Sequence, residues 1–333
     1  MRDKKSDEAH RVIVQPDQGV QPVIELIDSA RHTLRMKQFT LTDPDVMTAL
    51  QRAHARGVNV RVMLNPHRSS GDRANDESFA ALKRAGLKIE WTSPAFAVTH
   101  EKSLIVDDGL ALVATFNLAT KYFTETRDYG IVTTAPREVE QVVAGFEADW
   151  HRKPFAPDPG SGLLWSSNNS RQLMAWFIDA AKEELVIQHP KFVDATIVER
   201  IAAARHRGVK VDLLCGGKHG ISEWDVLDTF ASLRLLERAG IKIRRQKHLK
   251  LHAKLLIADN KRALVGSMNI DRSAFDLRRE LGVVTDEIHA LKHLRKVFDQ
   301  DWHEAKPYEA PDPLQPHTHH EGELADDPHF THE

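Results

Sequence analysis

Histidine, lysine and aspartate recur in this chain at one spacing, twice. His100, Lys102 and Asp107 lie in THEKSLIVDD, and His252, Lys254 and Asp259 in LHAKLLIADN. The offset is 252 − 100 = 152, and it carries further. Thr115 and Asn117 match Ser267 and Asn269, Arg127-Asp128 match Arg279-Glu280, Gly130 matches Gly282, and Trp150 matches Trp302. Two imidazoles, two ammoniums and two carboxamides suit displacement at a phosphodiester. The cations and amides stabilise negative charge as phosphorus becomes five-coordinate. One neutral imidazole attacks phosphorus, and the other, protonated, donates to the leaving oxygen. The two roles need opposite protonation states, so activity is expected to have a bell-shaped pH dependence. No metal or organic cofactor is required by this scheme.

On a β-strand alternate side chains share a face. His100 and Lys102 are therefore expected to point together from one motif strand, and His252 and Lys254 from the other. Thr115 with Asn117, and Ser267 with Asn269, then project from the return strands as phosphate contacts. A nucleophilic imidazole needs a partner on its second nitrogen, and Asp128 and Glu280 occupy equivalent places to supply one. Asp107 and Asp259, at the strand ends, are expected to fix the hairpins. A single His-x-Lys-(x)4-Asp is weak, because surface strands often alternate polar and apolar residues. Two copies, each followed 17 residues after its His by an Asn (117 − 100 and 269 − 252), are strong. An inert duplication would more readily retain apolar core positions than these charged and amide side chains.

The elements that must position these residues are duplicated too. Apolar spacing predicts a helix over 23–34, a strand over 36–41, a helix over 45–56 closed by Gly57, and a strand over 58–64. The second half repeats this with a helix over 173–181, a strand over 185–188, a helix over 195–207 closed by Gly208, and a strand over 209–214. A helix ending in Arg-Ala-Gly and a strand (87–91 and 241–245) precede each motif hairpin. Strands alternating with helices predict an α/β fold, and the final hairpin makes each sheet mixed. The boundaries are a segment at 1–19, a first half over 20–152, a Pro/Gly-rich linker at 153–162, a second half over 163–306, and an acidic, His-rich tail at 307–333. The tail reads as disordered. Metal binding by its His317, His319 and His320 has little support, because no regular ligand spacing is present.

A formal net charge of −2 gives no global attraction to polyanions. Cys215 is the only cysteine, so no internal disulfide forms, and it reads as a small buried hydrophobe. The first 14 residues have no apolar core of a signal peptide, and no apolar run is long enough to span a bilayer. A cytoplasmic protein, peripheral at the membrane at most, is expected.

The motifs resemble those of the phospholipase D superfamily, whose double HKD motif they match. LHAKLLIADNKRALVGSMN is similar to the family's second motif, and IDRSAFDLRREL resembles the same region of bacterial cardiolipin synthases. The resemblance covers roughly 20–306. It implies two tandem α/β/α sandwiches with the active site at their pseudo-twofold interface, and metal-independent chemistry through a phosphohistidine. It also implies His100 as nucleophile and His252 as acid and base, with Lys102, Lys254, Asn117 and Asn269 completing the site. One chain suffices for such a site. The first copy departs from the family's Gly-Ser-x-Asn as Ala114-Thr115-Phe116-Asn117, though Thr keeps the hydroxyl. The membrane-spanning N-terminal stretch common in cardiolipin synthases is not seen.

Fold does not choose a substrate. A phospholipid is favoured by the cardiolipin-synthase-like stretch and by apolar Trp91, Pro94, Phe96 and Val98 beside the first motif. A nucleic acid is the alternative, supported by the basic run 242–250 leading into the second motif. A binding module with a dead site is the third reading, and both motifs being complete argues against it.

Overall fold

The computed structural model describes residues 8–68, 70–219 and 221–314. The first half runs β1 (His10–Gln15), α1 (Gln21–Ser29), β2 (Thr33–Gln38), α2 (Pro44–Ala55), β3 (Asn59–Leu64), α3 (Asp76–Arg84) and β4 (Lys88–Trp91). It continues with β5 (Val98–Thr99), β6 (Ser103–Val106), β7 (Leu110–Ala114), α4 (Thr120–Thr124), β8 (Thr126–Thr133) and α5 (Pro136–Trp150). The second half runs β9 (Leu163–Trp165), α6 (Ser170–Asp179), β10 (Glu184–Gln188), α7 (Ala195–His206), β11 (Lys210–Cys215), α8 (Glu223–Arg238) and β12 (Lys242–Arg245). It ends with β13 (Lys250–Leu251), β14 (Leu255–Ala258), β15 (Arg262–Gly266), α9 (Arg272–Asp276), β16 (Arg278–Arg279), β17 (Leu281–Thr285), α10 (Ile288–Glu304) and β18 (Lys306–Pro307).

Local chemistry explains the repeated unit. Asp43 caps α2 by accepting from the backbone N–H of Asp45 and Val46, with Pro44 at the first turn. Val46, Ala49, Leu50 and Ala53 then line its buried stripe. Asp194 caps α7 in the same way, and Ile197, Val198, Ile201 and Ala204 line its stripe. Gly57 and Gly208 end both helices at φ of 89° and 92°, a region where a Cβ is strained. The helix expected over 23–34 stops at Ser29 instead, because the N–H groups of Arg31, His32 and Thr33 all donate to the Asp107 carboxylate. The strand therefore starts at Thr33.

Each half is an α/β/α sandwich about a mixed sheet, as expected. The first sheet has the order β1-β8-β7-β6-β2-β3-β4, and the second β18-β12-β11-β10-β14-β15-β17-β9. One outer core joins the first sheet to α1, α2 and α3, and another joins the second sheet to α6, α7 and α8. A third core lies between the sheets and draws on both halves: Val139, Val142 and Phe146 of α5, Leu294, Val297 and Phe298 of α10, and Trp165.

The halves also exchange backbone. β13 of the second half pairs with β8 of the first, and β16 pairs with β5. Two boundaries change. Residues 10–15 of the expected N-terminal segment form β1, whose Val12, Ile13 and Val14 are buried on β8. The first residues of the expected tail belong to the fold instead, since β18 adds an edge to β12 and Ala310 enters the outer core. His317, His319 and His320 lie outside the described residues. The 153–162 linker is held in place, with Phe155 edge-on to Trp165 at 4.8 Å. No helix among the described residues is long and apolar enough to cross a membrane.

Candidate active site

The motif residues sit in breaks between strands. His100, Glu101 and Lys102 fall between β5 and β6, and His252, Ala253 and Lys254 between β13 and β14. This corrects the expectation of one continuous motif strand: a sheet ladder must end for the chain to cross to the other half. His100 and Glu101 donate their N–H groups to the Arg279 carbonyl, both at 2.9 Å. His252 and Ala253 donate theirs to the Arg127 carbonyl at 3.2 and 2.9 Å. Each motif is thus held by the opposite half. All six of His100, Lys102, Asn117, His252, Lys254 and Asn269 are buried.

The histidines are oriented by crossed carboxylates. His252 Nδ1 lies 2.7 Å from Asp128 Oδ1, and His100 Nδ1 lies 3.0 Å from Glu280 Oε2. His100 Nδ1 is also 3.1 Å from the Ser267 carbonyl oxygen. A carbonyl only accepts, so Nδ1 carries the hydrogen and neutral His100 keeps its lone pair on Nε2. Lys254 Nζ lies 3.0 Å from His252 Nε2 and donates to the His252 carbonyl at 2.8 Å. Lys102 Nζ donates to the His100 carbonyl at 2.7 Å. Phe39 stands edge-on to His100 at 4.8 Å, and Tyr122 to His252 at 4.9 Å, walling the two rings with aromatic surface.

The two carboxylates differ. Asp128 accepts from Thr115 Oγ1 at 2.5 Å and Thr126 Oγ1 at 2.6 Å as well as from His252. Glu280 accepts from Ser267 Oγ at 2.5 Å, while its Oε1 is buried with no hydrogen-bond partner among the described residues. Burial pushes Glu280 up to about 8, against the pull of Lys102 and Arg278. Its Oε2 accepts the His100 Nδ1–H all the same.

The hydroxyls of Thr115 and Ser267 were expected on phosphate, and the structure corrects this. Each donates to its carboxylate and accepts a backbone N–H, from Tyr129 at 2.9 Å or Leu281 at 3.1 Å. Their capacity is used in holding the carboxylates. Thr115 does the same work as Ser267, so the Ala-Thr departure leaves this function intact. Ala114 replaces Gly266, where a Cβ would lie 2.6 Å from the Gly282 Cα.

Asp107 and Asp259 lie at the far ends of their hairpins, away from the histidines. They begin two-residue left-handed turns, Asp107-Asp108 and Asp259-Asn260, of the type that matches strand twist. Their carboxylates reach beyond their own hairpin. Asp107 accepts from Arg31, His32 and Thr33, and Asp259 from Lys182, Glu183 and Glu184. Partial burial works upward on each acid, but these three donors outweigh it and lower both pKa values.

Asp149 and Asp301 were missed. Asp149 binds Arg279 through Nε and an Nη at 2.9 and 3.0 Å, and Asp301 binds Arg127 at 2.7 and 3.0 Å. Both pairs are buried and cross between the halves. A signal existed: the aspartates precede Trp150 and Trp302 at the same offset, 301 − 149 = 152. His189 was missed as well. It is fully buried, takes the Lys191 N–H on Nδ1 at 3.1 Å, and lies 3.3 Å from the Met268 carbonyl by Nε2. Burial, with Lys254 adding to it, drives it down to about 3.

The basic run 242–250 is partly consumed inside the fold. Arg245 is buried over the Tyr308 ring at 5.7 Å, and Arg244 stacks on Trp302 at 5.0 Å. Near the first motif, Trp91 stacks on Phe79 at 4.0 Å and Val98 is buried. Pro94, Ala95 and Ala97 are exposed and Phe96 half-buried, and Leu277, whose carbonyl accepts from the Ala97 N–H, is 56% exposed. The residue equivalent to Leu277 is Glu125 (277 − 152), which pairs with Lys250 at 3.1 Å.

The chain is 24% identical over 327 residues to a cardiolipin synthase of Clostridium perfringens, covering 84% of this chain and 67% of that protein. It is 24% identical over 310 residues to cardiolipin synthase B of Salmonella typhimurium, covering 80% and 74%. It spans only 58% of the Staphylococcus aureus cardiolipin synthases that it matches. In structure it resembles phosphatidylserine synthase of Haemophilus influenzae, with a TM-score of 0.72 at 14% identity over 91% of this chain and 88% of that one. It also resembles polyphosphate kinase of Porphyromonas gingivalis, with a TM-score of 0.70 at 15% identity over 88% and 47%. At these identities the likeness is one of fold. The model of the cardiolipin synthase, PLD-like domain matches residues 23–150 and 174–302, so the chain belongs to that family, within the phospholipase D superfamily.

Proposed function

We propose that this chain is a phosphatidyltransferase of phospholipase D type, exchanging a phospholipid phosphodiester through a phosphohistidine. The observation that carries this reading is the pair of buried imidazoles, each aligned through Nδ1 by a carboxylate of the other half. In the first step the lone pair of His100 Nε2 forms a P–N bond as the P–O bond to the leaving alcohol breaks. The leaving oxygen takes a proton from His252. As His100 becomes cationic, its Nδ1–H stays on Glu280 Oε2, which keeps the ring in line. In the second step an alcohol, or water, gives its proton to His252 while its oxygen attacks phosphorus and the P–N bond breaks. Lys102, Lys254, Asn117 and Asn269 supply the charge and dipoles for the five-coordinate state, so no metal is needed. Both histidines and both carboxylates belong to one chain, and a monomer suffices.

Support for a lipid over a nucleic acid comes from the lip beside His100. Pro94, Ala95, Phe96, Ala97 and Leu277 are apolar where the pseudo-equivalent edge carries Glu125, His248 and Lys250. An apolar lip on one side suits acyl chains at the surface of a bilayer, to which the protein would bind peripherally.

The test supplies phosphatidylglycerol vesicles, phosphatidylcholine vesicles with ethanol, and single-stranded DNA, each with EDTA. The expected products are cardiolipin or phosphatidylethanol. His100→Ala and His252→Ala should each lower turnover by about a thousandfold or more. DNA cleavage without lipid exchange would replace the lipid reading, and loss of activity to EDTA would overturn the metal-free step.

A further inference from the structure

We propose that Asp149 and Asp301 are positioning residues, each setting the histidine of its own half by way of the other half's Arg–acid dipeptide. From the last turn of α5, Asp149 grips Arg279 of the second half at 2.9 and 3.0 Å. The Arg279 carbonyl takes the N–H groups of His100 and Glu101, and its neighbour Glu280 takes His100 Nδ1. The path leaves the first half at Asp149 and returns to it at His100. From α10, Asp301 grips Arg127 of the first half at 2.7 and 3.0 Å. The Arg127 carbonyl takes the N–H groups of His252 and Ala253, and Asp128 takes His252 Nδ1. Two closed rings result, each crossing the interface twice.

The rings are rigid for different reasons. Arg279 is enclosed by the Phe96, Phe155 and Trp165 rings at 5.0, 4.8 and 4.8 Å from its guanidinium carbon. Asp149 also binds Lys37 at 2.6 Å, and Lys37 binds Glu101 at 2.9 Å, so this ring is fixed by charge. In the other ring Asp301 accepts from Gln188 Nε2 at 2.7 Å, and Gln188 Oε1 accepts from the Tyr129 hydroxyl at 2.7 Å. A carboxylate–guanidinium fork fixes two angles at once, so the register of the following residue is transmitted to the imidazole it holds. Charged groups near His100 include Glu280 and Lys102, with Glu101, Lys37, Arg278, Arg279, Asp149 and Asp271 behind them. Around His252 they are Asp128 and Lys254, with Arg127 and Asp301 behind them and His248 3.4 Å from Asp301. Any effect on turnover rests on the phosphoryl-transfer reading above, whereas the positioning does not.

The experiment titrates the ¹⁵N-imidazole signals of the full chain by NMR in the wild type, Asp149→Asn and Asp301→Asn. His100→Asn and His252→Asn identify the two signals. Asp149→Asn should move the His100 midpoint by about half a unit or more and leave His252 nearly in place, and Asp301→Asn should do the reverse. On vesicles, kcat should fall by about tenfold with KM little changed. Movement of neither midpoint, of both equally, or of the wrong one would overturn the proposal. Should the Asn variants unfold, Asp149→Glu and Asp301→Glu keep the ion pairs with a longer reach. Unchanged titrations in those two variants would assign the pairs to stability alone. Selective shifts in the two variants, beside a wild type that turns over no lipid, would sink the functional reading and leave the positioning intact.

Discussion

Glu280 and His189 place opposite pH limits on this fold. Burial raises Glu280 from 4.5 to about 8, so between those values the folded chain holds a proton that the unfolded chain releases. Stability from this group is present below pH 4.5 and is lost as pH rises toward 8. His189 falls from 6.5 to about 3, so its contribution is present above pH 6.5 and is lost as pH falls toward 3. Denaturant melts across pH should show both limbs. Glu280→Gln should flatten the alkaline limb, since the amide oxygen still accepts from Ser267 and His100. His189→Gln should flatten the acid limb. Gln38 is the pseudo-equivalent of His189, each residue lying at or just beyond the end of the strand before its half's α-helix, so an amide is sterically reasonable there. Unaltered limbs in both variants would show that other groups set the profile. Thr115 and Ser267 teach a related lesson: a hydroxyl two residues from an amide looks like a phosphate ligand in sequence, but the nearest unsatisfied carboxylate took it.

Among the elements, α5 carries the sharpest packing constraint. Gly145 faces Trp165, and a Cβ there would lie 2.5 Å from the ring. Gly→Ala in a helix interior gains about 1 kcal/mol of propensity. Overpacking a buried site costs about 1–3 kcal/mol. Against the fully buried Trp165 the second effect should win, and Gly145→Ala should lower the denaturation midpoint. A gain in stability would mean that α5 can shift, and then Asp149 could not hold Arg279 as rigidly as its geometry implies. Element positions were readable wherever a buried stripe, a capping residue and a glycine agreed, as for α2 and α7. They were misread at 30–34, where the helical apolar spacing continues through Leu34. The termination comes from Asp107, 75 residues away from His32, and local sequence holds no sign of it.

At the scale of the whole molecule the halves are one structure. Their central core draws side chains from both sheets, two strand pairs cross between them, and each Arg–Asp pair takes one member from each half. A fragment ending in the 153–162 linker would expose that core and strip Arg127 and Asp149 of their Asp301 and Arg279 partners, leaving only Asp17 and Lys37 to pair with them. Each half alone should therefore be insoluble or unfolded, and co-expression should restore a single soluble species with turnover. A first half that folds alone and binds the second only weakly would contradict this account. Sedimentation and circular dichroism of the separate and mixed fragments decide it.

The duplication, the α/β class, the identity of the histidines, lysines and amides, and the candidacy of Asp128 and Glu280 as partners could all be read from one chain of letters. They depend on residue type and on a fixed offset, and both survive in one dimension. Which carboxylate serves which histidine could not be read, because that depends on the halves crossing: Asp128 serves His252 and Glu280 serves His100. Nor could the fate of the motif strands, which break so that their backbone N–H groups reach the opposite half. The ion pairs of Asp149 and Asp301, and the burial of Glu280, belong to the same class. Burial and long-range ion pairing are properties of the packed interface, and they appear only when residues about 130 to 180 positions apart come into contact.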